Sequence, residues 1–203
     1  MIENMIFDMG NVLIHWYPQL FTQRMGLSQE DEKRIIDAAF GHGDWNRLDE
    51  GTLTEQEALR IICKRLPERL HPCMEKLVLR WWEVAFEPVE GMANLIAELK
   101  QEGRGIYLLS NAGLNFPNYF PKIPGSDLFD GLYVSAQHKL VKPDREIYED
   151  FLKTFDLKPE TCFFTDDRED NIQGAADCGI RGTIFQGTAQ SLRETLKKQN
   201  ILS

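Results

Sequence analysis

The residues able to do chemistry stand where short apolar runs end. Asp8 follows the run 5–7, Ser110 and Asn111 follow the run 106–109, and the pair Asp166 and Asp167 follows the run 162–165. Lys142 sits in a Val-Lys-Pro-Asp segment just ahead of a helical stretch. In an open α/β sheet, ligands bind beyond the carboxyl ends of the strands. If these runs are parallel strands, three carboxylates, a hydroxyl and an ammonium group converge on one edge. Carboxylates crowd together only when something neutralises them, and a hard divalent cation is the usual means. Mg²⁺ takes oxygen ligands and keeps its waters, so two or three carboxylates suffice to hold it. The lysine would then balance the charge of a bound phosphate.

The elements that must position these groups follow from periodicity. The runs 5–7, 106–109, 132–134, 162–165 and 183–185 are short and apolar throughout, as strands buried on both faces are. Helical patterns over 92–100 and 146–155 lie between them, the second followed by Pro159. Strands alternating with helices of this length predict βαβ units and a doubly wound parallel sheet. Residues 15–86 break the alternation with helical signals alone. Ser28 with Asp31, and Thr54 with Glu57, carry the capping pattern of a helix start, and Leu59, Ile62, Cys63 and Leu66 mark one apolar face. A helical subdomain is therefore expected directly after the first strand.

Composition narrows the classes of partner. The chain has 203 residues, 42% hydrophobic and 27% charged, enough for one core domain carrying an insertion. A net charge of -9 argues against an electrostatic grip on nucleic acid or on anionic membranes. No segment approaches the length of a membrane span, and Glu3 and Asp8 interrupt the region where a leader would be apolar, so a cytoplasmic location is expected. Cys63, Cys73, Cys162 and Cys178 form no CxxC pair and read as thiols in a reducing compartment. None of the four histidines falls in a metal-ligand pattern.

Four segments in order, FDMGNVL, LLSN, VKPD and FFTDDREDNIQGAADCGI, resemble the four motifs of the haloacid dehalogenase-like superfamily. The DD-x-x-x-N-I-x-G-A pattern is the specific one. The FDxGNV and LSN forms are most similar to a subgroup that includes the bacterial α-D-glucose-1-phosphate phosphatase. The resemblance implies a Rossmann-like core over residues 1–14 and 87–203, with residues 15–86 as its helical cap. It further implies an Mg²⁺-dependent hydrolase of a small-molecule phosphate ester, a sugar phosphate being one candidate, acting through an aspartyl-phosphate on Asp8. Mg²⁺ would be held by Asp8, the Gly10 carbonyl and Asp167, with Asp166 acting through water. Ser110, the Asn111 backbone and Lys142 would hold the phosphate oxygens.

The chain departs from the family pattern at Gly10. Family phosphatases usually carry a second aspartate there to protonate the leaving group and later activate water. Glycine keeps the backbone carbonyl and loses the acid. General acid–base help is typically worth on the order of 10²–10⁴-fold. A good leaving group, such as an anomeric oxygen, needs less protonation; otherwise the cap must lend an acid, with His15, Asp44 and Asp49 as candidates. Asp44, Trp45, Arg47 and Glu50 lie where a cap could read a sugar, although each taken alone is expected to pack or be solvated. Trp81 and Trp82 follow an apolar pattern that predicts core packing, and Asp170 and Asn171 are expected to brace the fourth-motif loop. Two alternatives stay open. A hydrolytic 2-haloacid dehalogenase also lacks the second aspartate, but needs no metal and leaves the paired Asp166 and Asp167 unexplained. A non-catalytic protein using the same fold for binding is the other.

Overall fold

The computed structural model describes residues 1–203. The five apolar runs form strands β1 (Asn4–Phe7), β2 (Gly105–Ser110), β3 (Gly131–Val134), β4 (Cys162–Asp166) and β5 (Arg181–Ile184). They make one parallel sheet in the order β3-β2-β1-β4-β5, with β1 at its centre. Phe7 lies opposite Leu108 of β2 and Thr165 of β4, so the residues following these strands share one edge.

Side chains alternate across a strand, and the two faces find different partners. Met5, Phe7, Leu108 and Phe163 share one apolar cluster with Leu95, Ile96 and Leu99 of helix α7 (Met92–Gln101) and Leu192 and Leu196 of α11 (Ala189–Lys198). Ile6, Leu109 and Phe164 face the other way, onto Ile147, Tyr148 and Phe151 of α9 (Arg145–Thr154) and Ala175 of α10 (Glu169–Asp177). Helices on both faces make the sheet doubly wound, and its architecture Rossmann-like.

Between β1 and α7 the chain is helical: α1 (Pro18–Arg24), α2 (Gln29–Phe40), α3 (Asp44–Asp49), α4 (Glu55–Cys63), α5 (His71–Arg80) and α6 (Trp82–Ala85). The Ser28 hydroxyl accepts from the Asp31 N–H, and Thr54 with Glu57 forms a complete capping box. On α4, Ile62 is buried while Leu59 and Cys63 are partly so, and buried Leu66 follows the helix. The apolar face of this segment joins the cluster under α7. A short helix α8 (Ser135–His138) follows β3.

Element ends fall within a residue or two of the sequence expectation, and two of the shifts have a local reason. β5 begins at Arg181, ahead of its apolar run, and ends at Ile184. It pairs with β4 alone, and an edge strand accepts polar residues that a central strand would not. α9 begins at Arg145, one residue before the predicted start, because Asp144 in extended conformation already leads into it. All four cysteines are free thiols, and no helix is long and apolar enough to cross a membrane.

Candidate active site

At the carboxyl edge of the sheet a cavity of about 750 Å³ opens between the strand ends and the helical segment. Asp8, Gly10, Ser110, Asn111, Lys142 and Asp167 all line it. Asp8 follows the last residue of β1 and is held by its N–H, which donates to the Thr165 carbonyl at 2.9 Å. Lys142 is only 5% exposed and its Nζ donates to Asp8 Oδ1 at 2.7 Å and to Asp166 Oδ2 at 2.6 Å. A buried ammonium in this position is stable only because it is paired. Burial opposes its charge, but Asp166 and Asp8 outweigh that and hold its pKa above the ordinary lysine value.

The Asn111 side chain fixes this lysine. Its Nδ2 donates to the Lys142 carbonyl at 2.9 Å and its Oδ1 accepts from the Lys142 N–H at 2.8 Å. Ser110, the last residue of β2, is buried and lines the cavity.

Oxygen ligands for a cation come together around Asp8. Ligand atoms of Asp8, Asp166 and Asp167 all lie within 4.8 Å of one another. Burial, opposed by Lys142 and reinforced by the Asp166 charge, pushes Asp8 up from 3.8 to about 6. Burial likewise raises Asp167, against the lowering effect of a hydrogen bond from Asn11. The Gly10 carbonyl accepts no backbone hydrogen bond and is free to add an oxygen. This all-oxygen, charge-rich donor set fits a hard cation such as Mg²⁺.

Asp166 is placed differently from its companions. It is fully buried and does not line the cavity. Its two oxygens accept from Lys142, from the Arg168 N–H and from Asn171 Nδ2 at 2.9 and 3.0 Å, so it anchors Lys142 from behind. Asn171 braces this loop as expected and also reaches the cavity wall, while Asp170 pairs with Arg168 at 2.5 Å.

Of the three candidate acids from the helical segment, the structure brings one to the cavity. Asp44 is buried against Arg65, Oδ2 to Nη1 at 2.5 Å, and lies outside the lining, as does His15. Asp49, the last residue of α3, lines the cavity. Burial first and the Asp8 charge second push it from 3.8 to about 7. Arg47 and Glu50 also reach the lining.

Two features escape a reading of the sequence alone. Asn11 adopts the left-handed region at φ 54°, a conformation asparagine tolerates well, and there its Nδ2 donates to Asp167 Oδ2 at 3.0 Å. Its place behind a glycine was the available signal. The second is an aromatic wall. Trp16 packs on Trp45 and Trp81 at centroid distances of 5.7 and 4.4 Å, Phe40 lies 4.5 Å from Trp45, and Tyr119 lies 4.9 Å from Trp81. All five rings line the cavity. Trp45 and Trp81 thus combine the packing expected of them with a face toward the cavity, whereas Trp82 stays in the core.

Known proteins resemble the chain in both sequence and fold. The haloacid dehalogenase-like hydrolase family model matches residues 2–179. The chain is 29% identical over 193 residues to a sesquiterpene phosphatase of Aspergillus oryzae, covering 93% of this chain and 94% of that one. It is 26% identical over 190 residues to the D-ribitol-5-phosphate phosphatase of Bacteroides thetaiotaomicron, covering 89% and 90%. In fold it is similar to a Bacteroides thetaiotaomicron enzyme crystallised with magnesium and inorganic phosphate, with a TM-score of 0.70 at 23% identity, covering 92% and 96%. A match running from the first strand through the fourth-motif helix takes in every strand-end residue of the cavity, and on that match the chain belongs to the haloacid dehalogenase-like hydrolases.

Proposed function

We propose that this chain is an Mg²⁺-dependent phosphatase that hydrolyses phosphomonoesters of small metabolites through a covalent phosphoryl group on Asp8. The observation that carries the reading is the split environment of the Asp8 carboxylate. Oδ1 accepts from Lys142 at 2.7 Å, while Oδ2 takes no bond from that lysine and lies on the Gly10 side of the cavity. One oxygen is thus held in place and the other is free to attack. Relatives named as phosphatases of two different phosphate esters support the activity, as does a protein of the same fold crystallised with magnesium and phosphate.

Asp8, Asp167 and the Gly10 carbonyl would hold the Mg²⁺, with Asp166 behind them; when bound, the ion neutralises charge on the nucleophile and the phosphate. Ser110, the Asn111 N–H and Lys142 hold the phosphate oxygens. Asp8 Oδ2 forms a bond to phosphorus while the bond to the leaving oxygen breaks. Water then attacks the same phosphorus, releases inorganic phosphate and restores the carboxylate. Splitting the displacement in two lets one buried carboxylate serve both halves, and fixed charges around the phosphoryl group supply most of the acceleration. In this reading residues 15–86 act as a cap over a core of residues 1–14 and 87–203. The aromatic wall faces the non-phosphate part of the substrate, suiting a ring or chain with apolar faces, the C–H faces of a sugar among them.

The test is to trap the phosphoenzyme. Acid quench during turnover of a ³²P-labelled ester should leave a base-labile label on the peptide containing Asp8. Label on another residue, or none during demonstrated turnover, sinks the reading.

A further inference from the structure

Phosphoester cleavage drives negative charge onto the leaving oxygen, and Gly10 has no proton to offer it. Five carboxylic acids line the cavity: Asp8, Asp49, Glu50, Glu55 and Asp167. Asp8 and Asp167 belong to the cation cluster. Glu50 accepts from the Thr52 hydroxyl at 2.8 Å, and Glu55 Oε1 accepts from the Asn115 N–H at 3.1 Å. Asp49 is the one whose carboxyl group has neither an ion pair nor a hydrogen bond.

The backbone that carries Asp49 is pinned to the core. The Ser135 hydroxyl, at the start of α8, donates to the Asp49 carbonyl. The same hydroxyl accepts from the Ala112 N–H at 2.9 Å, so it also fixes the loop that runs on from Ser110 and Asn111. Two residues beyond Asp49, Gly51 sits at φ 72° so close to α8 that a Cβ there would fall 2.1 Å from the Ala136 carbonyl oxygen. The turn after α3 is therefore seated against α8, and Asp49, whose carboxyl group has no partner, lines the cavity there.

We propose that Asp49 is the general acid and base of this enzyme, filling from the cap the role that Gly10 leaves vacant; this rests on the phosphatase reading. In the first half-reaction the Asp8 oxygen bonds to phosphorus, the leaving oxygen keeps the electrons of its broken bond, and the Asp49 proton moves to it. In the second, the Asp49 carboxylate takes a proton from the attacking water, the Asp8–phosphorus bond breaks, and Asp49 is protonated again. Burial and the nearby Asp8 charge hold Asp49 at about 7, where both protonation states are populated at neutral pH. Tyr119 lines the same cavity, but burial pushes its hydroxyl well above the ordinary tyrosine value, out of range for this task.

The experiment measures kcat/KM at neutral pH with Mg²⁺ for phenyl phosphates of graded leaving-group acidity. Wild type is compared with Asp49→Asn and Asp49→Ala, whose thermal midpoints check folding. Loss of the acid should slow phenyl phosphate on the order of 10²–10⁴-fold and p-nitrophenyl phosphate far less, steepening the dependence on leaving-group acidity. Restoring an acid through Gly10→Asp in the Asp49→Asn background should recover phenyl phosphate, because a Cβ at Gly10 meets nothing nearer than Asp8 Oδ2 at 3.8 Å. A loss that is uniform across the series, or no loss, overturns the assignment while leaving the phosphatase reading intact. A folded wild type that releases no phosphate from any member overturns both.

Discussion

Asp8→Asn should make the metal-free protein more stable, and the gain should depend on pH in a defined way. Asp8 is 8% exposed, and burial raises its pKa from 3.8 to about 6. A raised carboxyl pKa means that folding disfavours the charged form. The stability is fully present below pH 3.8, is lost as pH rises through about 6, and stays lost above it. At 1.36 kcal/mol per unit, charged Asp8 costs about 3 kcal/mol at pH 8, roughly half of that at pH 5, and well under 1 kcal/mol at pH 4. Asparagine never ionises and avoids this loss, while Lys142 keeps Asp166 as its partner at 2.6 Å. Urea unfolding in EDTA at the three pH values reads the gap directly. At pH 8 the thermal midpoint should rise by about 6–12 °C for a chain of this length. A variant no more stable than wild type at pH 8, or a gap that does not close toward pH 4, would refute the claim that the nucleophile's charge is held against the fold.

Other expectations follow from the same contacts. Lys142→Met leaves Asp8 and Asp166 buried without a counter-charge and should destabilise the metal-free protein at pH 8 by about 3–5 kcal/mol, with Mg²⁺ narrowing the gap in the same urea assay. Asn111→Ala removes both hydrogen bonds that seat the Lys142 backbone; urea unfolding should show a loss of about 1–3 kcal/mol, with a lower kcat for phosphate release. Asn11→Ala frees Asp167 from its orienting donor and should weaken Mg²⁺ binding by about 10–100-fold, read by calorimetric titration. Gly51→Ala meets both a left-handed backbone and the Ala136 carbonyl, so stability should fall by at least about 1–2 kcal/mol and phosphate release should drop in the fraction that remains folded.

Much of this site was legible because its chemistry sits at strand ends. An apolar run that stops at an acid or a hydroxyl announces both the strand and the edge where its side chain stands, and Asp8, Ser110 and Asp167 required no tertiary knowledge beyond that. Asp166 already needed more. The sequence pairs it with Asp167, but only its hydrogen bonds to Lys142 and Asn171 reveal that it faces inward. The helical segment was legible as helix and opaque as surface. His15, Asp44 and Asp49 were equivalent on paper, since helical periodicity separates buried from exposed faces and does not say which buried acid meets a partner. The Asp44–Arg65 pair spans 21 residues and two helices, and no local pattern reports it. The aromatic wall was hidden for the same reason: Trp16, Phe40, Trp45, Trp81 and Tyr119 come from five separated stretches, and each taken singly looks like core.

The most direct test of the account is inorganic phosphate release from a panel of phosphomonoesters by wild type and Asp8→Asn, in Mg²⁺ and in EDTA. The panel includes hexose 1-phosphates and 6-phosphates, with a 2-haloacid alongside. The account predicts turnover that requires both Mg²⁺ and the Asp8 carboxylate. Phosphate release that survives in Asp8→Asn, or chloride release from the 2-haloacid without Mg²⁺, would contradict it.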